Sequence, residues 1–229
     1  MSGHYAAEQV EQQYLEAMGP ELGKIFHRLW NECAWLHWKW GGYVELFGTA
    51  PERIALLNRA APSFFFVVQD SLWNDVLLHI CRLTDPPQSA GKHNLTIQRL
   101  APIVVPALRP RVETLLEGAL RKCEFALDWR KRHIAHRDLS LALRESSTAL
   151  APASRLFVKE ALEAISAVLN VIDRHYRNSE VAYGGIAPAG DAEALLYVIR
   201  DGLEADDQRT KRRKSGHLLP EDLKAPSAV

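Results

Sequence analysis

The feature that most limits the fold of this chain is the spacing of its apolar residues, which recur every three or four positions along most of its length. Proline and glycine separate the stretches that carry this repeat, and almost no segment alternates apolar and polar residues as a half-buried strand does. The spacing therefore predicts an all-α fold, a bundle of about five to seven helices.

The positions of these prolines and glycines also predict where the helices lie. The longer ones cover about 5–18, 20–47, 51–60, 62–85, 110–136 and 154–177, and short ones begin near Asn94 and cover 194–203. We expect residues 1–205 to form one helical domain and 206–229 to be a flexible tail. The basic run TKRRKSG in that tail could hold RNA by charge, but the acidic EADD before it favours a plain solvated segment.

The composition excludes several classes of protein. Lys and Arg number 28 and Asp and Glu also 28, which argues against a surface that coats nucleic acid or an anionic membrane. No run approaches the roughly 18 apolar residues of a membrane span, and the N-terminus lacks a signal-peptide pattern, so a cytoplasmic location is expected. The spacing of Cys33, Cys81 and Cys123 predicts free, buried thiols, with neither a disulfide framework nor a metal site.

Two predicted helices carry unusual residues. Trp30, Trp35, Trp38 and Trp40 point to several sides of the second helix, which favours a position in the bundle core over a subunit interface. In the helix over 62–85, polar residues at spacings of four, four and three form one stripe on an otherwise apolar surface: Ser71, Asp75, His79 and Arg82. The last three either satisfy one another or bind a ligand.

The segment DWRKRHIAHRDLS, residues 128–140, ends the predicted helix over 110–136. Projection of that helix places Arg130 in the middle of its apolar face, with His133 and Arg137 continuing the same line. The apolar face consists mainly of Val112, Ala119, Cys123 and Ala126. An unpaired charge on such a face costs several kcal/mol, so Arg130 needs either a partner or a chemical role.

This segment also allows three simpler interpretations. In a structural ion network, Arg130 and Arg137 would pair with acidic residues, namely Asp75, Asp128 or Asp138. HRDLSLALR imitates a kinase catalytic loop, but Leu143 stands where that loop needs asparagine, so we reject this interpretation. His133 and His136 have a spacing compatible with zinc, yet no third ligand is indicated.

Three segments together resemble one protein family. WRKRHIAHRD, LWNDVLLHICRLTDPP and GDAEALLYVIR are similar to the HEPN superfamily, in particular its AbiU-type abortive-infection branch, and the resemblance covers most of residues 20–200. The superfamily signature is an arginine followed after about four to six positions by a histidine near the end of a long helix. Arg130 and His136 occupy those positions, whereas Lys131 stands where the family usually has a small polar residue.

The resemblance implies a bundle that dimerises through the motif helix and, in active members, cleaves RNA without a metal or other cofactor. His136 lies roughly 120° around the helix from Arg130, so the two would meet across a two-fold axis rather than within one helix. Arg130 and His136 are then the catalytic candidates. Supporting or substrate-binding roles fall to Lys131, His133, Arg137, Asp138, Asp75, His79 and Arg82.

Two hypotheses follow. In the first, the chain is a metal-independent endoribonuclease of phage defence or a toxin system, with RNA as substrate, a second copy as partner and an antitoxin as a possible further partner. In the second, it is a non-catalytic HEPN-like module that binds a nucleotide, an RNA or a partner protein.

Overall fold

The computed structural model describes residues 7–145, 148–185 and 191–223. Within these residues the chain forms nine α-helices, seven of which have ten residues or more, so the predicted all-α class is confirmed. The helices are α1 Ala7–Met18, α2 Pro20–Phe47, α3 Pro51–Ala60, α4 Pro62–Thr84, α5 Leu100–Ile103, α6 Arg109–Trp129, α7 Leu139–Ala142, α8 Arg155–Arg177 and α9 Asp191–Ser215. A hairpin of two-residue strands, β1 Gln88–Ser89 and β2 Lys92–His93, follows α4.

The first of two compact units comprises residues up to Gly41 and from Ser71 to 187. Its core includes the apolar face predicted for the motif helix, since Val112, Ala119, Cys123 and Ala126 are all buried, and α6 packs along α8. The cysteine prediction is confirmed, because the three thiols are free and buried. Burial raises the pKa of Cys81 to about 11 and the pKa of Cys33 and Cys123 to about 12, which keeps them protonated.

Two glycines fix the turn from α1 to α2. Gly19 has φ of +80°, a left-handed conformation that favours glycine, and Pro20 then opens α2. At Gly23 a Cβ atom would lie 2.5 Å from the carbonyl oxygen of Tyr14. The two helices therefore approach each other more closely than any other residue at position 23 would allow.

The second unit comprises residues 42–70 and, from position 188 on, the C-terminal part of the chain. Its small core contains Leu46, Leu57, Phe65 and Leu196. Arg59 and Asp207 form an exposed ion pair between α3 and α9. One domain over 1–205 stays a prediction.

The last helix is longer than predicted. α9 continues to Ser215, so the expectation that it ends near residue 203 is wrong, and most of TKRRKSG is helical. Acidic Asp191 and Glu193 in its first turn and basic residues in its last turn suit the helix dipole, a signal that apolar periodicity does not include. Residues 224–229 of the predicted tail lie outside the described part of the chain.

Sequence reasoning also misplaced two features of the first unit. Trp35 and Trp38 are 50% and 41% exposed, with ring centroids 5.5 Å apart, so the favoured core position is wrong for these two, whereas Trp30 and Trp40 pack against the core. A subunit interface at Trp35 and Trp38 stays a prediction. The short helix expected at Asn94 begins after Thr96 instead, whose side chain accepts a hydrogen bond from the backbone of Gln98. No helix among the described residues has the length and apolar content to cross a membrane.

Candidate functional site

The motif segment leaves α-helical geometry at Arg130. α6 ends at Trp129 and a π-helical turn covers Arg130–Ile134, in which the backbone N–H of Ala135 donates to the carbonyl of Arg130 at 2.9 Å. The predicted α-helix to His136 is therefore wrong in its last turn. Because a π turn closes on the fifth residue instead of the fourth, a projection at the α-helical period does not hold beyond Arg130.

Arg130 has a carboxylate partner that the sequence did not indicate. Its Nη1 donates to both Oδ1 and Oδ2 of Asp85, each at 2.8 Å, and the two side chains are only 26% and 21% exposed. The ion-network interpretation therefore named the wrong acidic partners for Arg130, namely Asp75, Asp128 or Asp138. The Asp85 carboxylate contacts only one nitrogen of the Arg130 guanidinium. The other two nitrogens, Nε and Nη2, have no hydrogen-bond partner within the described residues.

The loop after α4 holds Asp85 in place. Gln98 donates through Nε2 to the carbonyls of Thr84 and Asp85, at 2.7 and 3.1 Å. The Thr96 hydroxyl donates to the carbonyl of Leu83, and the Asn94 amide donates to the carbonyl of Pro86, both within 2.9 Å. These bonds satisfy carbonyls at the end of α4 that the helix leaves without partners, so the loop and the helix end form one fixed support.

The remaining motif residues lie on a surface. His136 and Arg137 are exposed in and after the bend that follows the π turn, and Lys131 is exposed on the turn itself. His133 is half-buried, with its ring edge-on to Trp129 at a centroid distance of 5.4 Å. The structure thus places a freely accessible imidazole, His136, at the same end of α6 as the half-covered Arg130.

The acidic residues of the motif have structural roles. Asp138 begins α7 and accepts hydrogen bonds from the backbone N–H of Leu141 and the hydroxyl of Ser140, which lower its pKa. Asp128 accepts from the backbone N–H of Ala151 at 2.8 Å. Arg132 donates to the carbonyls of residues 148 and 149. The motif turn and the segment over 148–151 are therefore tied together.

The polar stripe of α4 is not an internal network. Asp75 pairs with Lys39, and Nε2 of the fully buried His79 lies 2.8 Å from Oε2 of Glu32 at an angle outside hydrogen-bond geometry. Burial, followed by the charges of Lys39 and Arg82, lowers the pKa of His79 to about 3. Of the two interpretations of this stripe, the one in which Asp75, His79 and Arg82 satisfy one another is wrong, because each faces a different partner or solvent. A ligand-binding role stays a prediction.

An open groove of about 400 Å³ lies beside the Arg130–Asp85 pair. Asp85 lines it, so one carboxylate contacts the guanidinium on one side and the groove on the other. The other lining residues come from α2, α4, β2 and the loop after it: Glu32, Arg82, Leu83, His93, Asn94 and Leu95. Among the described residues, no group of three or more His, Cys, Asp or Glu side chains is arranged to hold a metal ion.

Comparison with known families identifies the family of the chain. The profile of the family AbiU2 (HEPN_AbiU2) matches residues 19–195, more than three quarters of the chain. The chain belongs to the AbiU2 family. It is thus a HEPN-like abortive-infection protein, as the resemblance implied. No curated protein and no solved structure matches it significantly.

The AbiU2 match includes Asp85, Arg130 and His136, and also two groove residues that sequence reasoning did not select, Glu32 and Asn94. Asp85 stood within the RLTDP element on which the resemblance rested, immediately before two prolines that stop α4. That position was a signal for a fixed helix end, whereas nothing in the sequence indicated its contact with Arg130.

Proposed function

We propose that this AbiU2-family chain is a metal-independent endoribonuclease of phage defence or of a toxin system, with a composite site formed by Arg130 and His136 of two copies. The observation that carries the proposal is the incomplete hydrogen bonding of the Arg130 guanidinium. Its guanidinium is held at the end of the core stripe of α6, yet only Nη1 is engaged by Asp85. A planar fork with two unused donor positions suits a phosphate oxygen.

The reaction would need only a proton acceptor, a proton donor and a cation. The ribose 2′-hydroxyl attacks phosphorus as histidine takes its proton, the bond from phosphorus to the 5′-oxygen breaks, and that oxygen receives a proton. The products are a 2′,3′-cyclic phosphate and a free 5′-hydroxyl. Histidine titrates near neutral pH and suits both proton transfers, typically worth about 10²- to 10⁴-fold, while Arg130 would stabilise the charge on the phosphate.

A second copy would complete this site. The one signature histidine of each chain, His136, is exposed at the bend after the π turn. Two copies related by a two-fold axis would supply two imidazoles, one to accept and one to donate a proton. An antitoxin that covers this surface would keep such an enzyme inactive in the cell.

Two observations favour the alternative, a non-catalytic module that binds nucleotide, RNA or a partner protein. The Arg130–Asp85 pair is partly buried, as a purely structural pair would be. Lys131 also departs from the family pattern next to the signature arginine.

Cleavage of RNA in the presence of EDTA separates the two functions. We expect the purified protein to cut single-stranded RNA into fragments with cyclic phosphate ends, and Arg130→Ala or His136→Ala to abolish cutting. His175→Ala, at the exposed end of α8, is the matched control and should cut normally. Circular dichroism and sedimentation would verify that fold and oligomeric state persist. An intact wild-type protein that leaves diverse RNAs uncut would be a binding module.

A further inference from the structure

The groove beside Arg130 has the size and the polarity of a site for one nucleobase. Its volume of about 400 Å³ lies within the range of small-ligand pockets, and all of its lining residues belong to the first compact unit. Leu95, which is 41% exposed, provides the apolar surface that a stacked ring requires, and the buried Leu83 lies beneath the groove. The polar groups around them determine which ring would fit.

A carboxylate and a guanidinium line the same groove. Glu32 presents only acceptors, and Arg82, exposed on α4, presents only donors. Asn94 donates both to the carbonyl of Pro86 and to the hydroxyl of Ser89, which leaves its amide oxygen as a third acceptor. The groove therefore suits a ligand that has adjacent hydrogen-bond donors on one edge, to face the acceptors, and adjacent hydrogen-bond acceptors on another edge, to face Arg82.

Guanine is the nucleobase with that pattern. Its Watson–Crick edge offers the neighbouring donors N1–H and N2–H₂ to a carboxylate, and its O6 and N7 accept the two parallel hydrogen bonds of an arginine fork. Adenine and cytosine each pair an amine with a ring acceptor, which a carboxylate repels, and uracil has one N–H between two acceptors. We infer that the groove is a guanine subsite, read by Glu32 and Arg82.

Glu32 lies between the core and the groove. His79 is fully buried and its Nε2 lies 2.8 Å from Oε2 of Glu32, so one oxygen of the carboxylate lies against α4. The Glu32 side chain is nonetheless 45% exposed, which leaves acceptor positions open to the groove. The carboxylate is therefore accessible to a ligand in the groove.

The shared carboxylate of Asp85 links this subsite to the phosphate-binding arginine. Asp85 lines the groove and contacts Nη1 of Arg130. A guanine in the groove would consequently lie next to a phosphate held by Arg130. This inference rests on the proposed function in naming RNA as the source of the base; a free guanine nucleotide offers the same chemistry.

Binding of short RNAs tests the subsite independently of cleavage. The probe is a set of labelled oligouridylates in which one central base is G, A, C or inosine, titrated in EDTA with the full-length His136→Ala protein so that no strand is cut. We expect the G strand to bind about tenfold more tightly than the A, C and all-U strands. Inosine lacks the N2 amine and should lie between G and A. Competition with GMP shows whether the base alone or the strand supplies the affinity.

Two variants identify the reading residues. Glu32→Gln and Arg82→Lys should each reduce G binding to the level of A, whereas Glu117→Gln, the same amide change at an exposed position of α6, should leave the preference intact. Thermal unfolding checks the fold of Glu32→Gln, and Arg82→Lys keeps the test valid if that variant is unstable, because Arg82 is exposed.

The inference and the proposed function fail separately. Equal affinity for all strands, a G preference that survives both variants, or no binding of any RNA or of GMP overturns the guanine subsite, whether or not the wild type cuts RNA. A G preference that depends on Glu32, in a wild-type protein that cuts nothing, keeps the subsite and removes the nuclease.

Discussion

Nη1 of Arg130 donates to both carboxylate oxygens of Asp85 at 2.8 Å, and this contact joins the end of α4 to the first residue of the π turn. The two residues are 45 positions apart in sequence. The contact keeps the guanidinium oriented in the resting protein. Any phosphate that binds Arg130 must either use its other two nitrogens or displace the carboxylate.

Replacement of Asp85 by asparagine should therefore separate stability from binding. Asp85→Asn removes a partly buried, charge-assisted contact, and we expect the free energy of unfolding to fall by about 1 kcal/mol. The same change removes a negative charge that competes with phosphate, so RNA affinity should rise. Urea unfolding and fluorescence anisotropy measure the two effects. The control is Asp201→Asn, which removes an exposed ion pair with Arg200 and should leave RNA affinity unchanged. Weaker RNA binding by Asp85→Asn would contradict competition.

The free energy of unfolding should decrease in mild acid because of two histidines, the half-buried His37 and the buried His79. Burial lowers the pKa of His37 to about 4 and that of His79 to about 3, from an ordinary 6.5. Below pH 6.5 the unfolded chain binds protons that the folded chain does not, so their contribution to stability is complete above that pH. It is lost as the pH falls towards 4 and 3, by at most about 1.4 kcal/mol per pH unit for each histidine.

Denaturant unfolding at a series of pH values checks this dependence. His37→Gln retains a hydrogen-bonding group near Ser166 and should flatten the profile between pH 6.5 and 4. His175→Gln, at an exposed position, should have the wild-type profile. If His37→Gln and wild type show parallel curves, His37 is not a source of the acid sensitivity.

Substitution of two helical glycines by alanine should have opposite effects on stability, because only one of them lies where two helices approach closely. Gly23→Ala would place a methyl group 2.5 Å from the carbonyl oxygen of Tyr14, and we expect a loss of about 1–3 kcal/mol in the free energy of unfolding. Gly118→Ala in α6 meets no atom within 4 Å and should stabilise the protein by up to about 1 kcal/mol, as alanine favours helices. Thermal or urea unfolding measures both, and a neutral Gly23→Ala would refute the steric argument.

Arg132 should control the mobility of the segment next to the motif. Its guanidinium donates to the carbonyls of residues 148 and 149, so Arg132→Ala should increase hydrogen exchange of the peptide over 148–153. Exchange within α8 should not change. Lys131→Ala, at the exposed neighbouring position, provides the comparison. Equal exchange in both variants would show that other contacts hold the segment.

Most of the fold could be predicted from local signals. Helix starts at Pro20, Pro51 and Pro62 follow from the fixed φ of proline, and the buried face of α6 follows from its periodicity. The extension of α9 to Ser215 could not be predicted in this way, because that segment has no apolar periodicity. It carries charges at both ends of the helix and an ion pair of Arg209 with Asp206 instead. Periodicity detects only helices that bury one face.

The site was predicted only in part. Arg130 was singled out correctly as a charge that needs a partner, but the choice of Asp85 depends on how α4 and α6 approach each other, which a single sequence does not encode in any short pattern. The π turn could not be predicted from the sequence either, since it differs from an α turn by only one residue. The composite site with a second copy stays a prediction.

The π turn over Arg130–Ile134 also affects how this chain should be aligned with its relatives. A turn that closes on the fifth residue contains one residue more than an α turn, so a one-residue difference in the spacing between the signature arginine and histidine can be absorbed there without shifting α6 in the core. An alignment gap at this point would then mark a change of helical geometry, not a loss of the motif.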